Sequence, residues 1–108
     1  MNYIIKNELI EGLKNIFKDN LENFILYGSV AKGTDTDESD IDIAIILKDA
    51  NIQTLTNKLV DFTVELDLKY NKIFNVIDID YNTFLKWENI LPFYKNIKKD
   101  GVVLWKAA

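Results

Sequence analysis

The sequence predicts an α+β fold in which a small mixed β-sheet carries its helices mainly on one face. Three observations lead there. Helix-spaced and strand-like apolar segments follow one another in the order α-β-β-α-β-α-α-β. The strand-like segment at residues 40–47, DIDIAIIL, alternates at its start and then runs continuously apolar, as a central strand does. The chain has 108 residues, enough for one hydrophobic core but not two, so residues 1–108 read as a single domain.

Each element has its own signal. Ile5, Leu9, Leu13, Ile16 and Phe17 recur at helical spacing and predict an amphipathic helix from residue 3 to near Asn20. NFILYG, residues 23–28, is a short buried strand that stops at Gly28. Ile52, Leu55, Leu59, Phe62, Leu66 and Tyr70 form a helical stripe, although VDFTVELDLKY, residues 60–70, also alternates like a strand. Length and the absence of an internal turn signal favour the helix. KIFNVIDID, residues 72–80, is the next strand, followed by a short helix over about 82–89. Pro92 suits the first turn of a further helix that ends at Gly101, and VVLW, residues 102–105, closes the sheet.

The residue types that are missing narrow the chemistry. The sequence contains no Cys and no His, which removes thiolate nucleophiles, Cys–zinc sites, Ser–His triads and imidazole ligands. A metal would be held by oxygen atoms, which suits hard cations such as Mg²⁺ or Mn²⁺. No Arg is present either, leaving Lys and backbone N–H groups for phosphate contacts. The net charge of −4 speaks against nucleic acid as a direct stable partner. No apolar run reaches the roughly 20 residues of a membrane span, and the N-terminus lacks a signal-peptide h-region, so a cytoplasmic location is expected.

One stretch concentrates the chemistry: YGSVAKGTDTDESDIDIAII, residues 27–46. Along a strand successive side chains alternate faces, so Asp40 and Asp42 project together while Ile41, Ile43, Ile45 and Leu47 face a core. Two like charges at ~5 Å repel by roughly 3 kcal/mol at an effective dielectric of ~20. A divalent cation between them reverses that sign. Gly28 and Ser29 end the preceding strand ten residues before Asp40 and permit a sharp turn. SVAKG, residues 29–33, can then form a short helix whose N–H groups favour an anion, with Lys32 adding positive charge. A phosphate cradle beside a dicarboxylate is what nucleotidyl or phosphoryl transfer requires. Asp35, Asp37 and Glu38 read as loop solvation, and Phe93, Tyr94 and Trp105 as core aromatics.

Gly28-Ser29, ten intervening residues and Asp40-Ile41-Asp42 resemble the signature of the DNA polymerase β-like nucleotidyltransferase superfamily, and the short chain resembles its minimal nucleotidyltransferase (MNT) branch. The resemblance implies the palm fold of that superfamily. It implies that Asp40 and Asp42 hold Mg²⁺ or Mn²⁺, and that Gly28, Ser29 and Lys32 contact the phosphates of a nucleoside triphosphate, taken to be ATP. A hydroxyl would attack the α-phosphorus and release pyrophosphate. A third carboxylate from a neighbouring strand is also implied. Asp78 is the first choice for that catalytic and metal-binding role, because Asp78 and Asp80 emerge beside Asp40 and Asp42 if the Ile77/Ile79 side is core; Asp80 and Asp67 are the alternatives. The resemblance further implies an antitoxin working with an all-helical HEPN partner, modified by AMP transfer to a hydroxyl. The alternatives are a catalytically weak or inactive antitoxin that acts by binding alone, and a transferase for small-molecule antibiotics.

Overall fold

Asn2 opens the first helix by accepting the Ile4 N–H on its side chain at 2.7 Å, and helix α1 runs from Tyr3 to Phe17 in a computed structural model that describes all 108 residues. Its apolar stripe Ile5, Leu9, Leu13 and Phe17 is buried. A 3₁₀ turn, Lys18–Asn20, leads into strand β1, Leu21–Tyr27. The short helix α2 is Gly28–Lys32, and strand β2 is Ile41–Leu47. Helix α3, Gln53–Tyr70, carries the chain back to strand β3, Phe74–Asp80. Helices α4, Tyr81–Trp87, and α5, Pro92–Asp100, precede strand β4, Val102–Lys106.

The four strands lie in the order β3-β2-β1-β4. β1 pairs antiparallel with β2 and with β4, whereas β2 and β3 are parallel because α3 provides the crossover. The sheet is therefore mixed. The two long helices α1 and α3 cover one face over a 14-residue core that includes Ile41, Ile43, Ile45 and Leu47 of β2. The short helices α4 and α5 cover the other face over a smaller core of Ile25, Ala44, Ile46, Ile79, Phe84 and Ile97. β2 is consequently apolar on both sides from Ile43 onward, which is why its sequence alternates only at the start.

Residues 60–70 are helical throughout. The strand-like alternation there arises because Val60, Val64 and Leu68 lie on the outer side of α3 while Leu59 and Leu66 are buried. Asn71 ends the helix with φ 51°, and Asp67 Oδ1 accepts the Phe74 N–H at 2.8 Å, which ties the end of α3 to the start of β3. Trp105 of β4 stacks on Phe24 and Tyr94 of α5 packs edge-on to Phe84, so both are core aromatics. Phe93 departs from that expectation: it is 44% exposed and meets Tyr27 edge-on. No helix is long and apolar enough to cross a membrane.

Candidate active site

Two strand ends build the site. β1 finishes at Tyr27, whose register partner on β2 is Asp42, so their side chains leave the sheet on the same side. Directly after Tyr27 the backbone turns at Gly28 with φ 75°, a left-handed conformation that disfavours a side chain. A Cβ at Gly28 would also collide with Asp42 Oδ2. The Asp42 carboxylate thus lies against the backbone that starts α2, where a side chain at position 28 would have to push it aside. Ser29 follows in the first turn of α2, and Lys32 ends it before Gly33 closes the turn at φ 73°. Asp40 and Asp42 are both half-buried at the start of β2.

On the other side of β2 stands Asn75, the register partner of Asp42 in the parallel β2–β3 pair. Its Nδ2 donates to Asp40 Oδ2 at 2.9 Å and to Asp42 Oδ1 at 3.2 Å. One amide group therefore bridges both carboxylates and offsets their mutual repulsion. The donors present are two carboxylates and an amide, all with hard oxygens, and they fit a divalent cation of the Mg²⁺ or Mn²⁺ type.

Asp78 is not brought to this cluster. It is in register with Ile45, three residues further along β3 than Asn75, roughly 10 Å along the strand, and on the opposite face from Asp42. The expectation that it stands beside Asp40 and Asp42 takes Ile77 and Ile79 as the side away from the site. Those residues instead belong to the second core under α4 and α5, the same side that Asp42 and Asn75 occupy. Asp80 has a different role as the N-cap of α4, its Oδ1 accepting the Asn82 and Thr83 N–H groups at 3.0 and 3.4 Å. Asp67 is engaged by Phe74. No group of three acidic side chains is arranged to hold a metal ion.

Beside Gly28 a cleft of about 200 Å³ opens between α2 and α5, lined by Tyr27, Gly28, Lys32, Phe93, Asn96 and Asp100 together with Ile97. Burial, and secondarily the negative charge of Asp42, raises the Tyr27 phenol above its usual range, which keeps it protonated at neutral pH. Asp35, Asp37 and Glu38 are exposed in the loop from 33 to 40 that joins α2 to β2, as expected for solvating residues. Tyr27, Asn75 and Phe93 are the site residues that sequence reasoning does not select. Asn75 carries a signal, since it shares its strand face with Ile77 and Ile79; Phe93 carries none.

Residues 11–108 match the family described as polymerase beta, nucleotidyltransferase. The chain is similar to two Methanocaldococcus jannaschii proteins named as candidate protein adenylyltransferases. One is 34% identical over 98 residues, covering 91% of this chain and 92% of that protein. The other is 34% identical over 74 residues, covering 68% and 74%. Among solved structures, a toxin–antitoxin complex with AMP-PNP aligns with TM-score 0.63 at 22% identity, over 94% of this chain and 73% of that chain. A tri-AMPylated Shewanella oneidensis HEPN toxin in complex with its MNT antitoxin aligns with TM-score 0.59 at 18% identity, over 99% and 74%. Those two likenesses concern the fold; the family match and the first relative extend over nine-tenths of the chain. The chain belongs to the polymerase β nucleotidyltransferase family.

Proposed function

We propose that this nucleotidyltransferase moves AMP from ATP, with Mg²⁺ or Mn²⁺, to a hydroxyl of a HEPN-type helical partner, and that it acts as the antitoxin of that pair. The observation that carries the reading is the junction of Gly28 with Asp42, where the turn after β1 lies directly against a carboxylate of β2. The names of the Methanocaldococcus jannaschii relatives, and the AMPylated toxin beside an MNT antitoxin of the same fold, support the choice of AMP and of a protein acceptor.

Asp40 and Asp42 would hold the cation, which when bound neutralises the triphosphate and polarises the α-phosphate. The rest falls to the chain. Gly28 leaves room for phosphate at the turn, Ser29 contacts the β- and γ-phosphates, and Lys32 adds the positive charge that this Arg-free sequence can supply. The cleft beside Phe93 and Tyr27 offers an aromatic wall to the base. The acceptor hydroxyl oxygen attacks the α-phosphorus, the bond to the bridging oxygen breaks, and pyrophosphate leaves. Protonated Tyr27 is unsuited to take up the hydroxyl proton, which leaves to solvent. The test is AMP transfer from labelled ATP to the partner by wild type and by Asp40→Asn/Asp42→Asn. Transfer by neither protein, or equal transfer by both, would reject the reading.

A second reading is neutralisation by binding alone. The neutral amide of Asn75 in register with Asp42 favours it, since no third carboxylate stands there to assist deprotonation. Full neutralisation of the partner by the Asp40→Asn/Asp42→Asn protein would select it. Loss of neutralisation with retained binding would select transfer.

A further inference from the structure

The edge strand β3 presents one side chain to the carboxylate pair, and that side chain is an amide. Asn75 is exposed, in register with Asp42, and reaches both Asp40 and Asp42 through Nδ2. Turning the amide about its last side-chain bond exchanges Nδ2 for Oδ1 without moving the strand, so the group that bridges the two carboxylates can also present an oxygen to a cation. No other acid completes a three-carboxylate centre: Asp78 leaves the sheet on the other face, Asp80 caps α4, and Asp67, whose Oδ1 accepts from Phe74, shares with Asp40 a cleft that neither Asp42 nor Asn75 lines.

Charge balance then limits what the chain can hold. Two carboxylates compensate one divalent cation; a second dication at the same place would face a neutral ligand and uncompensated charge. We propose that Asn75 is the third ligand position of the metal centre and that its neutral amide restricts the chain to a single tightly held divalent cation. This rests on the metal-dependent reading above. Asn75 thereby also acts as a positioning residue, clamping Asp40 and Asp42 together when no cation is bound.

The test uses the full chain as wild type, Asn75→Asp and Asn75→Ala, titrated with Mn²⁺ alone while free Mn²⁺ is followed by electron paramagnetic resonance. Wild type is expected to bind one ion per chain. Asn75→Asp should bind at least about tenfold more tightly and take up a second ion, and Asn75→Ala should bind several-fold more weakly. Melting temperatures give an independent readout: Asn75→Asp should melt below wild type without metal and recover with Mn²⁺. Equal binding by all three proteins, or two ions in wild type, would overturn the role of Asn75 while leaving the metal centre standing. No saturable Mn²⁺ binding by any of them would overturn the metal-dependent reading and this inference together.

Discussion

The tripeptide Asp-Ile-Asp occurs twice, at residues 40–42 and at residues 78–80, and the fold gives the two copies opposite fates. The first copy enters β2, so both its acids point to one side and meet Gly28 and Asn75. The second copy leaves β3 at the far end of the same parallel pair, with Asp80 five residues past Asn75, roughly 16 Å along the strand. There Asp78 is exposed on the other face and Asp80 is spent on capping α4. Identical local sequence, in the same secondary structure, yields a candidate catalytic pair in one place and a helix cap in the other. What separates them is position along the sheet and the neighbour each acid is handed, not residue type.

That contrast can be broken by mutation, starting where the effect is largest. Asp40→Asn and Asp42→Asn are each expected to lower AMP transfer by about 10³-fold or more, several kcal/mol of transition-state stabilisation. Their melting temperatures without metal should stay at or above wild type, because a repulsive charge is removed. A variant retaining a tenth of the wild-type rate would take the acid out of the site. Gly28→Ala comes next, with damage of two kinds. The left-handed backbone adds about 1–2 kcal/mol of strain, and the new Cβ displaces Asp42, so stability and transfer should fall together. Thermal denaturation at wild-type temperature would show that the close junction of β1 and β2 is not what Gly28 serves.

The second tripeptide should respond in stability alone. Asp80→Ala removes a side-chain cap and should cost about 1 kcal/mol, a drop of several degrees in Tm for a domain of this size, with transfer per folded molecule unchanged. Asp78→Asn should be the mildest, within about 0.5 kcal/mol and about twofold in rate, as befits an exposed surface acid. A loss of transfer at Asp78→Asn matching that at Asp42→Asn would bring Asp78 into the site and reject the comparison.

Much of the site is legible in the amino-acid sequence. Asp40 and Asp42 share a face because strand periodicity is a local property of the backbone, and the turn at Gly28 follows from glycine's freedom at positive φ. The elements themselves are legible too, including α3, where a long helical stripe outweighs a strand-like pattern over residues 60–70. The third position is not. Choosing between Asn75 and Asp78 requires knowing which side of β3 faces the site, and apolar patterning identifies a side only when a single face of the sheet is buried. Here α1 and α3 cover one face and α4 and α5 the other, so Ile77 and Ile79 are as apolar as any core set and still lie on the side of Asp42. Phe93 is hidden for a related reason: whether a helical aromatic is buried or lines a cleft depends on what packs beside it.

By itself, then, the sequence determined the absence of thiol and imidazole ligands, the spacing of Gly28-Ser29 from Asp40, and the pairing of Asp40 with Asp42 on one strand face. Each of these is set by residue type or by the repeat of a single element. Only the tertiary structure decided that Asn75 rather than an acid faces the pair, because parallel register and the covering of both sheet faces arise from contacts between residues more than thirty positions apart.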